Sequence, residues 1–305
     1  MSLYPHIRPA GRYGLRGVGL GVLFMDYHLN LAGLRTTLCV PHDIAIADRL
    51  RPFLCGPHSD TDCRITLQSL PVLPTPAAEG VWHGMEYYDS VENTMRVFHC
   101  SAPGADAFAV TQLDAEGNVE IDVLPAYLSY FTGSSGIFNR IGMESWLLRH
   151  QGLLLHASLI KYGGKAIAFS GPSGVGKSTH AALWQTHLGA AIINGDRAAL
   201  RRTGEGWTAY GCPYAGTSGI YCNDSAPLTA IVILRQGERN DLRPLSAAEA
   251  FRHLYPELSV HHWDAAFVVA ATNLCADLLT RVPVYLLECL PDRDAALLVE
   301  KGLAL

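Results

Sequence analysis

The stretch that decides the fold of this chain is Gly171-Pro-Ser-Gly-Val-Gly176-Lys177-Ser178, which matches the pattern G-x-x-x-x-G-K-[ST] at every fixed position. It follows an apolar strand predicted over residues 165–170 and precedes a helix predicted over residues 177–188, which is the context that the pattern requires. Successive main-chain N–H groups in such a loop point inward and form an anion-binding concavity. The sequence therefore predicts a loop that binds the phosphates of a nucleotide.

Each residue type in this loop has a chemical reason. The glycines permit backbone angles that other residues avoid, and the N-terminus of the following helix adds partial positive charge. Lys177 is expected to reach the β- and γ-phosphates, and the Ser178 hydroxyl is expected to ligate Mg²⁺. We therefore predict ATP and Mg²⁺ as cofactors, and the predicted cofactor-binding residues are Gly171, Ser173, Gly174, Val175, Gly176, Lys177, Ser178 and Thr179.

Composition limits the class of protein. A chain of 305 residues with 49% apolar residues favours about two folded domains over disorder, and a net charge of −5 argues against a broad nucleic-acid-binding surface. No apolar run approaches the ~18 residues that cross a bilayer, and residues 17–25 are interpreted as a strand, not a signal peptide. Eight dispersed cysteines indicate reduced thiols. We predict a cytoplasmic protein without nucleic-acid or membrane partners, and the oligomeric state stays open.

The two halves of the sequence differ in pattern. Residues 1–135 are predicted to form a β-rich α+β domain of unknown role, with a hairpin that joins strands 107–112 and 119–124. Residues 136–305 are predicted to form an α/β domain around the glycine loop. Its other predicted elements are helices at 137–150, 246–258, 262–280 and 292–304, and strands at 152–162, 191–194, 197–202, 207–210, 228–235 and 284–290.

Three side chains outside the loop are candidates for chemistry. Asp196 follows the strand predicted over residues 191–194, where an enzyme with such a loop places its metal-binding carboxylate. His156 lies on the strand antiparallel to the one that feeds the loop, either near the phosphates or as a core histidine. Arg235 ends a buried strand and is a candidate to bridge phosphates. The predicted catalytic residues are His156, Lys177, Asp196 and Arg235, and the predicted metal ligands are Ser178 and Asp196.

Four segments together resemble the catalytic domain of HPr kinase/phosphorylase and the HPr-kinase-like kinases of bacterial gene clusters. They are Leu155-His156-Ala157-Ser158, Gly164-Lys165-Ala166-Ile167, the glycine loop, and Ile193-Asn194-Gly195-Asp196-Arg197. The resemblance covers about residues 146–305. It implies a P-loop kinase domain of the HPr kinase/phosphoenolpyruvate carboxykinase type with a mixed sheet. It also implies transfer of the γ-phosphoryl group of ATP to a serine-type hydroxyl of a protein or peptide, with a small-molecule hydroxyl as the close alternative.

The sequence departs from the family pattern at two positions. Gly195 stands where the family has the first of two adjacent aspartates, which acts as the base, and Thr179 stands where the family has an acidic residue. Either Asp196 serves both metal and substrate, or His156 is the base, or the chain binds nucleotide without fast chemistry as an assembly or maturation factor. A regulatory GTPase ranks last because no N-K-x-D motif is present. The resemblance also directs residues 211–224 to the acceptor, with Tyr210, Thr217 and Ser218 as expected contacts.

Overall fold

A computed structural model shows a mixed α/β protein with two large mixed sheets and few helices. The structure describes residues 15–18, 22–46, 48–131, 137, 140–204, 206–214 and 216–304. The chain divides into two compact units, Met1–Ile141 and Gly142–Leu305. No helix among the described residues is long and apolar enough to span a bilayer.

The first unit is built on a nine-stranded sheet in the order β1-β2-β3-β4-β9-β8-β7-β6-β5. Strand β4 lies parallel to β3 and β9, and the other neighbouring strands are antiparallel. The strands are β1 (Leu15–Val18), β2 (Val22–Leu31), β3 (Leu34–Pro41), β4 (Cys63–Ser69), β5 (Val81–His83), β6 (Glu86–Val91), β7 (Thr94–Cys100), β8 (Ala107–Leu113) and β9 (Val119–Val123). Short 3₁₀ helices cover Asp48–Phe53 and Pro125–Phe131.

Two sequence predictions concern this sheet. The predicted hairpin is confirmed, because β8 and β9 pair in antiparallel register with Ala109 opposite Val123. The single strand predicted over residues 17–25 is wrong, because Val18 pairs with Val22 and the stretch contributes to two antiparallel strands. Residues 19–21 of that prediction lie outside the described residues.

Glu86 is held in a polar cluster of the first unit. The Tyr88 hydroxyl donates to its Oε2 at 2.6 Å, and His99 Nδ1 lies 3.0 Å from its Oε1. Burial raises the pKa of Glu86, but the hydrogen bonds to His99 and Tyr88 and the charge of Arg140 outweigh it and lower the pKa to about 2. The ionised carboxylate therefore stabilises the folded unit above the pKa of an unfolded glutamate, about 4.5.

We expect Glu86→Gln to lower the free energy of unfolding by about 2 kcal/mol near neutral pH. Since the stabilisation is lost as the pH falls from about 4.5 towards 2, the gap between variant and wild type should close over that range. Urea unfolding at a series of pH values measures it, with the exposed Glu116→Gln as control. An equal gap at both ends of the range would contradict the assigned environment.

The second unit is built on an eight-stranded sheet in the order β11-β10-β13-β14-β15-β17-β16, with β12 paired to β10. Strand β15 lies parallel to β11 and β17. The strands are β10 (Gly152–Tyr162), β11 (Lys165–Ser170), β12 (Ala191–Asn194), β13 (Arg197–Thr203), β14 (Gly206–Tyr210), β15 (Ser225–Gln236), β16 (Asp241–Pro244) and β17 (Val284–Cys289). The helices are α1 (Met143–Arg149), α2 (Lys177–Leu188), α3 (Ala247–Leu254), α4 (Ala265–Arg281) and α5 (Arg293–Gly302).

Strand β10 changes partners along its length, and this change positions the site. Its first half, up to His156, pairs with β13, and its second half, from Ala157, pairs with β11. Ala157 lies opposite Ser170, the last residue of β11, while His156 lies opposite Arg197, the first residue of β13. The start of the glycine loop and the start of β13 are therefore brought to the same point of the sheet.

Four predicted helices begin or end at different residues in the structure, and the last of them, predicted over residues 292–304, is observed as α5 over Arg293–Gly302. Of the helix predicted over residues 137–150, Ile137 and Arg140 are helical, and α1 begins anew at Met143 because Gly142 adopts a left-handed φ of 66°; residues 138–139 lie outside the described part. The predicted capping box at Ser246 is confirmed, but α3 ends at Leu254 and a 3₁₀ turn follows at Tyr255–Glu257, since Pro256 cannot donate to a helix. Helix α4 begins after Asp264, whose side chain accepts from Phe267 N–H.

Candidate functional site

The glycine loop leaves the end of β11 and enters α2. At Gly171 the φ angle is 137°, and a Cβ atom there would lie 3.1 Å from the carbonyl oxygen of Leu234 on β15. At Gly176 the φ angle is 112°, with open space where a Cβ would lie. The N-cap residue of α2 is Gly176, which has no side chain to accept from the first N–H groups of the helix. Those N–H groups also lack intrahelical acceptors. These N–H groups fit an anion bound at the loop.

Lys177 is buried at the start of α2 and turns back towards the loop. Its Nζ donates to the carbonyl oxygens of Gly171 at 2.7 Å and Pro172 at 3.1 Å. Burial lowers the pKa of Lys177, and the carboxylates of Glu257 and Asp196 oppose that shift. The ammonium is thus held beside the loop and within electrostatic reach of two carboxylates from other elements.

The other predicted loop residues occupy different environments. Ser173 and Thr179 are exposed, and Val175 is half-buried. The Val175 N–H donates to Pro172 O at 3.2 Å, and Gln236 Nε2 donates to Gly174 O at 3.5 Å. These contacts involve the main chain of Val175 and Gly174, and the side chains of Ser173 and Thr179 stay accessible to solvent.

Asn194 fixes the turn that carries Asp196, a role that the sequence analysis missed. It is fully buried, and its Nδ2 donates to the carbonyl oxygens of Cys212 at 2.9 Å and Tyr214 at 2.8 Å. Its Oδ1 accepts from the N–H groups of Asp196 and Arg197, each at 2.9 Å. The Asn-Gly-Asp sequence is the local signal, because an asparagine side chain commonly bonds main-chain N–H groups two residues later.

Asp196, His156 and Glu257 meet beside the loop. His156 Nε2 lies 3.8 Å from Asp196 Oδ1, and His156 Nδ1 lies 3.1 Å from Glu257 Oε2. The Ser259 N–H donates to Leu154 O at 2.9 Å, so the segment after α3 pairs with β10 and brings Glu257 to the imidazole. Glu257 lies 101 positions after His156, and nothing local in the sequence links the two.

The two predicted metal ligands flank the main chain of Gly195. Ser178 Oγ donates to the Gly195 carbonyl oxygen at 3.4 Å, and Asp196 is the next residue. Hydroxyl and carboxylate oxygens are donors that Mg²⁺ accepts, and Mg²⁺ commonly takes its other ligands from phosphates and water. Among the described residues no cluster of three or more His, Cys, Asp or Glu could hold a metal by itself. Ser178 and Asp196 therefore fit a Mg²⁺ that is also bound by a nucleotide.

The side-chain contact of Arg235 is with a carboxylate of β17 and not with His156, Lys177 or Asp196. It is the second-last residue of β15, two residues after Ile233, which pairs with Ser170, but its guanidinium forms an ion pair with Glu288 of β17 at 2.5 Å and the side chain is 61% exposed. Arg197, to which no role was assigned from sequence, lies beside Asp196, with Nε 3.7 Å from Asp196 Oδ2. The catalytic role of Arg235 stays a prediction.

The segment after β14 packs against the turn that carries Asp196. Its tip is a 3₁₀ turn at Gly216–Ser218. A Cβ atom placed on Gly195 would overlap Ser218 Oγ and lie 2.8 Å from Ser218 Cβ. The space beside residue 195, where the resemblance expects a carboxylate, is therefore taken by the Ser218 side chain.

We expect Gly195→Ala to destabilise the protein by about 1–3 kcal/mol, because the added methyl group would force the Ser218 side chain to move. Ser218→Gly removes the clashing atoms, so the double variant should recover most of the loss. Thermal unfolding of the two single variants and the double variant forms the cycle that measures this coupling. Additive effects of the two changes would show that the contact is not formed.

Comparisons with known proteins add only a distant similarity to solved structures. No family model matches the chain, and no curated protein matches it. Among solved structures, the chain is similar to the HPr(Ser) kinase/phosphatase from Coxiella burnetii, at 13% identity and a TM-score of 0.28, over 48% of this chain and 91% of that chain. The functional interpretation therefore rests on the residues of the site themselves.

Proposed function

We propose that the second unit is an ATP- and Mg²⁺-dependent phosphotransferase that passes the γ-phosphoryl group to a hydroxyl. The observation that carries the proposal is the convergence of an anion-binding loop, its lysine and an Asp–His pair at one point of the sheet. Lys177 and Ser178 come from α2, Asp196 from the turn before β13, and His156 from β10. Phosphoryl transfer requires mainly positioning and electrostatic stabilisation, which these groups are able to supply.

We assign phosphate binding and metal binding to different residues of the site. The N–H groups at the start of α2 and the Lys177 ammonium would hold the phosphates, and Ser178 and Asp196 would hold the metal. A bound Mg²⁺ neutralises charge on the phosphate oxygens. Burial of Lys177 strengthens its attraction to an anion because the local dielectric constant is lower than that of water.

The acceptor hydroxyl would bind beside Asp196 and His156. Glu257 contacts Nδ1 of His156, so it favours a proton on that nitrogen and leaves Nε2 facing Asp196. The proton that leaves the acceptor would pass to this pair. The favoured acceptor is a serine-type hydroxyl of a protein or peptide, and a small-molecule hydroxyl is the alternative.

A nucleotide-binding factor without fast chemistry is the second candidate. It is favoured by Gly195, which has no carboxylate, and by the Ser218 side chain beside it. A single-turnover assay with γ-labelled ATP separates the two functions. We expect Mg²⁺-dependent ADP formation with label on a serine peptide or a polyol, whereas tight ATP binding with no ADP formed would favour the binding factor.

We expect His156→Ala to slow phosphoryl transfer by roughly 10²-fold, because the variant loses the imidazole that faces Asp196. ATP affinity should change little, since His156 is not among the groups that we assign to the phosphates or to the metal. Pre-steady-state ADP formation across pH 5–8 measures the effect, and the exposed His187→Ala is the matched control. An unchanged rate and pH profile would remove His156 from the reaction.

A further inference from the structure

The main chain of the turn Gly216–Ser218 lies against the Asp196 carboxylate. A Cβ atom placed on Gly216 would come 2.6 Å from Asp196 Cβ and 2.9 Å from Asp196 Oδ1. These distances are below van der Waals contact, so only glycine allows so close an approach. The turn thus covers one side of the group that we assign to metal and acceptor.

The Ser218 hydroxyl lies on the same side. Its oxygen would overlap a Cβ atom placed on Gly195, and the carbonyl oxygen of Gly195 accepts from Ser178 Oγ at 3.4 Å. One glycine therefore separates the Ser218 hydroxyl from the hydroxyl that we assign to the metal. A nucleophile must lie within a few ångströms of the reacting phosphorus, and Ser218 contacts Gly195, the residue whose carbonyl oxygen accepts from Ser178 and which directly precedes Asp196.

Hydrogen bonds hold this part of the segment in place. The Gly195 N–H donates to Ile220 O at 3.1 Å, and Asn194 forms a bridge with Tyr221. The Ile220 N–H donates to Ser218 Oγ at 3.3 Å. In that bond Ser218 Oγ is the acceptor. The hydroxyl oxygen of Ser218 is thus held by the N–H of Ile220, whose own carbonyl oxygen accepts from Gly195.

We propose that Ser218 is an intramolecular phosphoryl acceptor of this site; the proposal rests on the phosphotransferase function proposed above. A bond forms between Ser218 Oγ and the γ-phosphorus of ATP, and the bond from that phosphorus to the β–γ bridging oxygen breaks. ADP leaves with the bonding electron pair, and the hydroxyl proton passes to the Asp196 carboxylate. The products are ADP and a phosphoserine at position 218.

The modified side chain would limit further reaction. A phosphoserine carries a charge of about −2 and would lie beside Asp196 and the bound nucleotide. Like charges at this distance repel, so we expect nucleotide affinity to fall by about tenfold. A chain phosphorylated at Ser218 would therefore be one that has completed a transfer and binds further nucleotide more weakly.

The test uses the full chain incubated with ATP and Mg²⁺ and analysed by intact mass and by mapping of phosphopeptides. Wild type and Thr229→Ala, a control hydroxyl on β15, should each gain one phosphoryl group on Ser218. Ser218→Ala should gain none at this position, and the wild-type rate should not depend on protein concentration. Phosphate on Thr217 alone, or a rate proportional to concentration, would overturn the assignment.

A binding measurement supplies a second readout. ATP titration calorimetry of Ser218→Glu should give an affinity about tenfold below that of wild type, while Thr229→Glu, the same change in charge on β15, should bind as wild type does. If ATP binds and ADP forms but position 218 stays unmodified, this inference fails and the phosphotransferase function stands. If neither binding nor ADP formation is measured, both proposals fail.

Discussion

Lys177→Ala should weaken ATP binding by about 10- to 100-fold. Hydrogen bonds to charged groups contribute about 1.5–3 kcal/mol, and each 1.4 kcal/mol is a tenfold change in affinity. The buried ammonium of Lys177 is held at the loop by the carbonyl oxygens of Gly171 and Pro172. It is therefore placed to exchange these neutral acceptors for the charged oxygens of a triphosphate.

Titration calorimetry with ATP measures the effect. Lys165→Ala is the matched control, because Lys165 begins β11 and is exposed. Thermal unfolding of both variants separates a loss of binding from a loss of folding. Unchanged ATP affinity in a folded Lys177→Ala protein would contradict the assignment of the glycine loop to phosphate.

Asp196→Asn should slow phosphoryl transfer by roughly 10²- to 10³-fold. Asparagine keeps the shape of the side chain, and Asn194 holds residue 196 through its main-chain N–H, so the turn should persist. The variant loses the negative charge that would bind Mg²⁺ and accept a proton. ATP affinity measured in EDTA should therefore change little, whereas the gain in affinity on adding Mg²⁺ should be lost.

Asp241→Asn is the control for this change, since Asp241 is exposed and begins β16. The measurements are the ATP affinity in the presence and absence of Mg²⁺ and the rate of ADP formation. Full Mg²⁺-dependent turnover by Asp196→Asn would exclude Asp196 from the reaction. Loss of ATP binding in EDTA would instead indicate a structural role for the carboxylate.

The elements around the glycine loop could be predicted from sequence to the residue. Strands β10, β11 and β12 and helix α2 have the predicted bounds. Each is short, strongly patterned and bounded by glycine or by a local turn, so neighbouring residues alone determine it. The helix bounds that failed depended on the left-handed Gly142 and on Pro256, whose effect on the helix is settled only in the folded chain.

The partners of the site could not be predicted in the same way. Glu257 reaches His156 because the chain near Leu258 pairs with β10, and such a long-range pairing leaves no periodic signal. The Ser218 side chain meets Gly195 through a segment without regular pattern. The orientation of the Arg235 side chain likewise depends on Glu288, which lies opposite it only after β15 and β17 pair.

A crystal structure of the full chain with Mg²⁺ and a non-hydrolysable ATP analogue tests the nucleotide assignment most directly. We expect the β- and γ-phosphates on the N–H groups at the start of α2, the Lys177 Nζ moved from Gly171 O to phosphate oxygen, and the metal between Ser178 and Asp196. A triphosphate bound elsewhere, with Lys177 still bonded to the carbonyl oxygens of Gly171 and Pro172, would contradict it.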